Sequence, residues 1–150
     1  MISIATDTII INQAVETFIM NEEGFRNRVY KCLGGVKTIG FGTKAKSDDE
    51  VITEEEGRYR LRKYLNDVTY KKIAKYNIKI TNESQLVSIA SFDYNTDKLL
   101  KIVNSDNTID CKKILLYNKV KSIKEDGSVE YKVIDNLDKR RHKEYELCIK

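Results

Sequence analysis

The sequence predicts an α+β fold in which helices dominate. Three observations carry the prediction. Apolar residues recur at helical spacing before residue 23, β-branched and aromatic residues interleave with glycines over residues 26–43, and helical patterns return from residue 53 onward. A helix, then a small sheet, then several helices is an order typical of α+β proteins.

The first predicted helix covers residues 13–22. Val15 and Ile19 fall on one face at helical spacing. Asn12 is a suitable N-cap, and Gly24 permits the helix to end. We therefore expect the next element to begin directly after this helix.

A β-hairpin is expected within residues 26–43. Val36, Ile39 and Phe41 are residue types that favour strands, and Gly34 and Gly35 separate them from the apolar residues that come before. The change from helical to strand-like spacing predicts a small antiparallel sheet immediately after the first helix.

The remaining chain is predominantly helical. Residues 53–56 form a capping box, which predicts the start of a long helix running toward Tyr76. The turn residues at 125–128 fit a junction between two short strands. Further helices are predicted over three stretches, namely 81–89, 110–120 and 135–149.

Composition limits the class of protein. The chain has 150 residues, of which 41% are hydrophobic and 33% charged, as in globular domains. Its net charge of +4 favours an anionic partner, and nucleic acid, an anionic membrane and the bacterial wall all qualify. No apolar stretch approaches the ~20 residues of a membrane helix, and none resembles a signal peptide.

The cysteines and the histidine give no sign of a metal site. Cys32, Cys111 and Cys148 are far apart in the sequence, and His142 is the sole histidine. A zinc site needs such ligands in close pairs, so none is expected. The odd number of cysteines does not indicate a disulfide framework and favours a reducing compartment during synthesis.

A candidate catalytic constellation lies where the first helix meets the hairpin. Glu23 ends the helix, and the glycine-rich hairpin that follows would place polar residues over its carboxyl group. Cleavage of a glycosidic bond needs such a sheltered acid and a second group on the opposite face of the sugar. Judged on these residues alone, an ordinary surface carboxylate is the favoured interpretation of Glu23.

The spacing of this segment resembles that of a known family. Eight residues separate Glu23 from Cys32, five separate Cys32 from Thr38, and Tyr30 and Gly42 occupy further matching positions. This pattern is similar to the catalytic motif of the phage lysozymes, or endolysins, of glycoside hydrolase family 24. The resemblance continues through the leading, connecting, central and closing helices, at residues 11–22, 52–65, 85–95 and 137–147.

The resemblance implies a lysozyme-like architecture. A small lobe with a β-hairpin and a larger helical lobe would be joined by a long helix. We expect a single domain over residues 1–150, with the small lobe at about 13–60 and the helical lobe at about 61–150.

The resemblance also implies catalytic roles. Glu23 would be the general acid, Cys32 would take the place usually held by an aspartate that activates water, and Thr38 would hold that water, with inversion at the anomeric carbon. Without the motif, Cys32 would be interpreted as a small buried residue and Thr38 as an ordinary strand residue.

Binding roles follow in the same way. Asn95 would line the substrate groove, and either Arg140 or Arg141 would pair with the acid and orient it. Asp97 stands where the family usually has glycine. Aspartate adopts a left-handed conformation less readily than glycine does.

The implied function is that of an endolysin hydrolysing the β-1,4 bond between N-acetylmuramic acid and N-acetylglucosamine in peptidoglycan, which causes host lysis. The resemblance implies no cofactor or metal. We expect a monomer acting on glycan strands, held in the host cytoplasm until a holin releases it, without membrane insertion. The alternatives are a degenerate lysozyme that binds the wall without cleaving it, as a virion or regulatory protein, and a basic nucleic-acid-binding module.

Overall fold

The computed structural model describes residues 1–5, 7–32 and 34–150, and it confirms the helix-dominated α+β fold. The helices are α1 (Gln13–Glu23), α2 (Glu54–Tyr64), α3 (Tyr70–Lys75), α4 (Glu83–Thr96), α5 (Cys111–Ile114) and α6 (Asp135–Ile149). The strands are β1 (Arg26–Lys31), β2 (Lys37–Gly40), β3 (Thr43–Lys44), β4 (Lys119–Ile123) and β5 (Val129–Val133).

Helix α1 and the first sheet follow the sequence prediction closely. Asn12 caps the helix, because its side chain accepts a hydrogen bond of 3.0 Å from the Val15 amide. Gly24 ends the helix with a φ of 68°. Strands β1, β2 and β3 then form an antiparallel sheet in that order, with Tyr30 opposite Thr38.

The long connecting helix is also confirmed. The Thr53 hydroxyl accepts a 3.1 Å hydrogen bond from the Glu56 amide, which caps α2. A π-helical segment, Leu65–Thr69, joins α2 to α3, so that the helical backbone runs on to Lys75. Arg62 of α2 makes two hydrogen bonds to the buried carboxylate of Glu16, which fastens α2 to α1.

Helix α4 is the centre of the larger, helical part. Ile89, Ala90 and Phe92 are fully buried, and α4 packs against both α1 and α6. The helix begins after Asn82 and ends at Asp97, which adopts a φ of 56°. Aspartate therefore takes the left-handed conformation at this position, and its carboxylate pairs with Lys72 at 3.0 Å.

The prediction of a helix over residues 110–120 is wrong in most of its length. Only Cys111–Ile114 is helical, and Lys119 already belongs to β4, which pairs antiparallel with β5. The predicted turn at 125–128 is confirmed as the junction of these strands, closed by a hydrogen bond from the Gly127 amide to the Lys124 carbonyl. Pairing with β5 satisfies the backbone groups that a helix would have satisfied locally.

The expectation from the cysteine count is also wrong. Cys111 and Cys148 form a disulfide across 37 residues of sequence, with their Cα atoms 5.8 Å apart. The packing of α5 against α6 brings the two cysteines together, which their spacing in the sequence does not reveal. The inference of a reducing compartment therefore loses its basis. Cys32 is free and exposed, which rules out its interpretation as a buried core residue.

Across the described ranges, no helix combines the length and the apolarity needed to cross a membrane. The division into lobes at about residue 60 stays a prediction.

Candidate active site

A cleft of about 950 Å³ lies beside the end of α1. Strand β1, the end of α4, the start of β4 and the first half of α6 provide its other walls. Five of the six residues predicted from the sequence line it: Glu23, Cys32, Asn95, Arg140 and Arg141.

Glu23 is held in a defined orientation in this cleft. It is the last residue of α1, and the backbone of Gly24 turns the chain away immediately after it. Its Oε2 atom accepts a 2.5 Å charge-assisted hydrogen bond from Nη1 of Arg140. The side chains are only 14% and 7% exposed, so the pair is largely shielded from water. A sheltered, fixed carboxyl group of this kind is suited to general acid catalysis.

The turn between β2 and β3 packs directly against the Glu23 carboxyl group. Gly42 has a φ of +84°, and a Cβ atom added there would overlap the carboxyl of Glu23. The hydroxyl group of Tyr94 donates a 2.6 Å hydrogen bond to the Phe41 carbonyl and so ties the turn to α4. Burial, reinforced by the nearby charge of Glu23, raises the pKa of Tyr94, which keeps this donor protonated.

Cys32 lies just beyond the end of β1, exposed at the cleft. Partial burial acts to raise the pKa of its thiol. Hydrogen bonds from the backbone at Val36 and Gly34 and from the Thr38 side chain outweigh that effect, so the pKa is lowered. A larger fraction of thiolate is therefore present at neutral pH than for an ordinary cysteine.

Thr38 is the one predicted residue that does not line the cleft. It is buried in β2, and its hydroxyl group donates a 2.8 Å hydrogen bond to the Val36 carbonyl. Its influence on the site passes through Cys32, because the Thr38 side chain contributes to lowering the pKa of that thiol.

The two neighbouring arginines of α6 have different partners. Arg140 contacts Glu23 and also Ser91, through a 3.2 Å hydrogen bond from Nη2 to the serine hydroxyl. Arg141 donates from Nη2 to Oδ1 of Asn95 at 2.9 Å. The sequence left open which arginine contacts Glu23, and the structure places Arg140 there.

Glu144 was not among the residues predicted for the site. Its carboxylate is completely buried between the arginines, 3.4 Å from Nε of Arg140 and 2.7 Å from Nε of Arg141. Ser91 donates a further hydrogen bond of 2.5 Å to it. Burial raises the pKa of Glu144, and the two guanidinium groups oppose that rise. The sequence did contain a signal for it, because Glu144 follows Arg141 by three residues and Arg140 by four on a predicted helix, a spacing that brings side chains together.

The cleft carries a strong excess of positive charge. Seven cationic side chains line it: Arg26, Lys31, Lys119, Lys139, Arg140, Arg141 and Lys143. Only two acidic side chains, Glu22 and Glu23, do so. Within the residues placed by the structure, no group of three or more His, Cys, Asp or Glu side chains is arranged to hold a metal ion.

A comparison with protein-family models identifies the family of this chain. The family model described as phage lysozyme matches residues 20–144, which is well over half of the chain. No curated protein sequence matches.

Solved structures share the fold at low sequence identity. The muramidase domain of SpmX from Asticaccaulis excentricus has a TM-score of 0.70 and 19% identity, covering 95% of this chain and 99% of its own. The endolysin from Escherichia coli O157:H7 phage FAHEc1 has a TM-score of 0.65 and 22% identity, with 97% and 96% covered. A P22 lysozyme mutant has a TM-score of 0.62 and 23% identity, with 95% and 100% covered.

These structural likenesses show a lysozyme-like fold. The family match shows more: this chain belongs to the phage lysozyme family and is a glycoside hydrolase, a muramidase that cleaves peptidoglycan.

Proposed function

We propose that the protein is an endolysin that hydrolyses the β-1,4 bond between N-acetylmuramic acid and N-acetylglucosamine and thereby lyses a bacterial host. The observation that supports this most directly is the Glu23 carboxyl group, fixed by Arg140 at the wall of a large cleft. A glycan strand lying in the cleft would bring a glycosidic oxygen to that group.

Glu23 acts as the general acid. Because Arg140 donates to Oε2, the proton that can be transferred belongs on Oε1. Protonation of the glycosidic oxygen lets the bond break while positive charge develops on the sugar. Arg140 is a positioning residue, held in turn by Ser91 and Glu144.

Cys32 occupies the position from which water is activated or oriented on the other side of the sugar. Its lowered pKa makes the sulfur a better hydrogen-bond acceptor for that water than a neutral thiol would be. Thr38 supports the sulfur from β2, and Asn95 contributes to the groove beside Arg141. The reaction needs no cofactor, and a monomer suffices.

Delivery to the wall is part of the same proposal. The protein accumulates in the host cytoplasm and reaches the peptidoglycan after a holin opens the membrane. Periplasmic protein detected by fractionation before any lysis would contradict this route.

A Glu23→Gln variant tests the enzymatic proposal, with Glu22→Gln as a matched control. Both changes remove one negative charge at the same helix end, and Glu22 pairs with Lys143 rather than with Arg140. We expect Glu23→Gln to lower the release of new reducing ends from cell walls by at least about 100-fold, since the proton donor is lost. Glu22→Gln should retain activity within a few-fold.

The assay also addresses the alternative of a degenerate lysozyme that binds the wall without cleaving it. Wild-type protein that pellets with walls but releases no reducing ends would establish that alternative. A folded Glu23→Gln variant as active as the parent would refute the role of Glu23.

A further inference from the structure

Both faces of the hairpin formed by β4 and β5 are largely exposed in the described parts of the chain, and they differ in chemical character. Directly paired residues of an antiparallel hairpin project to the same side. The pairs Lys119 with Val133, Lys121 with Tyr131, and Ile123 with Val129 therefore share one face. We call these six residues the hairpin face.

The hairpin face is unusually apolar for exposed surface. Ile123 is 73% exposed and Tyr131 64%, and the two valines are about half exposed. An exposed patch of this kind beside polar residues is typical of a binding surface. The opposite side of the hairpin carries one apolar residue, Val120, and three polar ones, Ser122, Glu130 and Lys132.

The hairpin face continues the cleft. Lys119, at the start of β4, is also one of the residues that line the cleft. Strand geometry carries the face about 13 Å beyond that residue to Ile123. The chain also enters and leaves the hairpin at the cleft. Tyr117, just before β4, and Asn136, just after β5, both line it.

The charge on the hairpin face is exclusively positive. Lys119 and Lys121 lie on it, whereas the one acidic strand residue, Glu130, projects to the other side. A partner suited to it therefore combines carboxylates with apolar surface. Peptidoglycan has both features, because its stem peptides carry carboxylates and its sugars offer C–H faces that pack on an aromatic ring.

We propose that the hairpin face extends the substrate-binding surface and holds the part of the glycan strand, with its acidic stem peptides, that projects beyond the cleft. The Tyr131 ring packs against sugar or peptide, and the two lysines pair with stem-peptide carboxylates. This inference rests on the proposed function, since it assigns the same polymer to a second surface.

Retention on purified, insoluble cell walls tests the inference. All variants are made in the Glu23→Gln background, so that binding is read without digestion. We expect Lys121→Gln combined with Tyr131→Ala to weaken retention about tenfold, corresponding to about 1.4 kcal/mol. Lys132→Gln removes the same charge from the opposite side of the hairpin and should change retention less than twofold.

A second arm identifies the ligand. On glycan from which the stem peptides have been removed, Lys121→Gln alone should bind as tightly as its parent. On peptide-bearing walls it should bind several-fold more weakly. Equal loss on both materials would overturn the assignment of the lysines to stem peptides.

Other results would overturn the proposal itself. The proposal fails if the double variant is retained on walls as well as its parent, or if Lys132→Gln loses as much retention as the double variant. It also fails if a lowered unfolding temperature of the double variant accounts for its weaker retention. Weaker binding of the double variant to anionic vesicles but not to walls, or a parental dimer that the substitutions dissociate, would assign the hairpin face to a membrane or to a second copy of the chain. Failure of the proposed function is distinguished by a different measurement, since the Glu23→Gln variant would then cleave walls as fast as the parent.

Discussion

At the scale of single residues, Gly42 determines how closely the sheet approaches the proposed acid. Its φ of +84° disfavours any side chain, and a Cβ atom there would overlap the Glu23 carboxyl group. We expect Gly42→Ala to cost about 1–3 kcal/mol in the free energy of unfolding. It should also lower the cleavage rate at least about tenfold by displacing the acid from Arg140. Thermal unfolding and a reducing-end assay measure the two effects.

Gly127→Ala is the matched control for this change. Gly127 has nearly the same φ, +83°, but a Cβ atom added there meets nothing within 4 Å. Gly127→Ala should lower the free energy of unfolding through the same backbone strain, but it should leave the cleavage rate unchanged. Equal rates for the two variants would mean that contact with the acid is unimportant.

Cys32 supports a second prediction at this scale. If its sulfur orients the attacking water, Cys32→Ala should lower the cleavage rate by about 100-fold, as expected when a positioned base is lost. Cys32→Asp should retain or exceed the parental rate, since a carboxylate accepts hydrogen bonds better than a thiol. Rates are measured on cell walls at neutral pH. An alanine variant as fast as the parent would remove Cys32 from the mechanism.

The sequence predicted which residues gather in the cleft better than it predicted their contacts. Glu23 and Cys32 were found through spacing, and both line the cleft. The choice between Arg140 and Arg141 could not be made, because neighbours on a helix point about 100° apart and only the docking of α6 on α4 decides which one reaches the acid. The buried carboxylate of Glu144 depends on the same docking.

At the scale of elements, prediction succeeded where local signals define the structure. Helix α1 has its own N-cap and terminating glycine, and α6 spans the predicted residues 135–149. It failed at the start of β4, whose residues 119 and 120 were assigned to the end of a helix. The hydrogen bonds of β4 go to β5, so the information that makes it a strand lies in a distant segment.

The disulfide illustrates the same limit between elements. Cys111 begins α5, and Cys148 lies in the last turn of α6. Each cysteine alone looks like a small apolar residue on its helix. Only the tertiary approach of the two helices makes the bond, which then fixes the end of α6, the helix that also carries Arg140.

At the scale of the whole molecule, positive charge is concentrated where the substrate is proposed to lie. The formal net charge of the chain is +4, while the cleft alone has seven cationic and two acidic side chains. Four of the seven are paired with a carboxylate: Arg140 with Glu23, Arg141 with Glu144, Lys143 with Glu22 and Lys139 with Asp135. Arg26, Lys31 and Lys119 give the cleft a field that attracts the anionic wall.

Lysis should therefore depend strongly on salt. Between about 0.1 M and about 1 M salt, the Debye length shortens from about 10 Å to about 3 Å, which screens the field of the cleft. We expect the rate of wall lysis at limiting substrate to fall about tenfold over this range. Hydrolysis of a short, uncharged oligosaccharide should change little, because its binding does not use that field.

A charge variant separates attraction by the cleft from a general effect of salt. Lys31→Gln removes an exposed cation at the cleft, and Lys132→Gln removes one that does not line it. Lys31→Gln should reduce lysis at low salt and weaken its salt dependence, whereas Lys132→Gln should leave the salt dependence close to that of the parent. If lysis of the wall is as insensitive to salt as hydrolysis of the neutral oligosaccharide, the positive cleft does not serve to recruit the polymer. If the parent instead shifts double-stranded DNA in a gel with a steep salt slope, its charge serves the nucleic-acid-binding alternative.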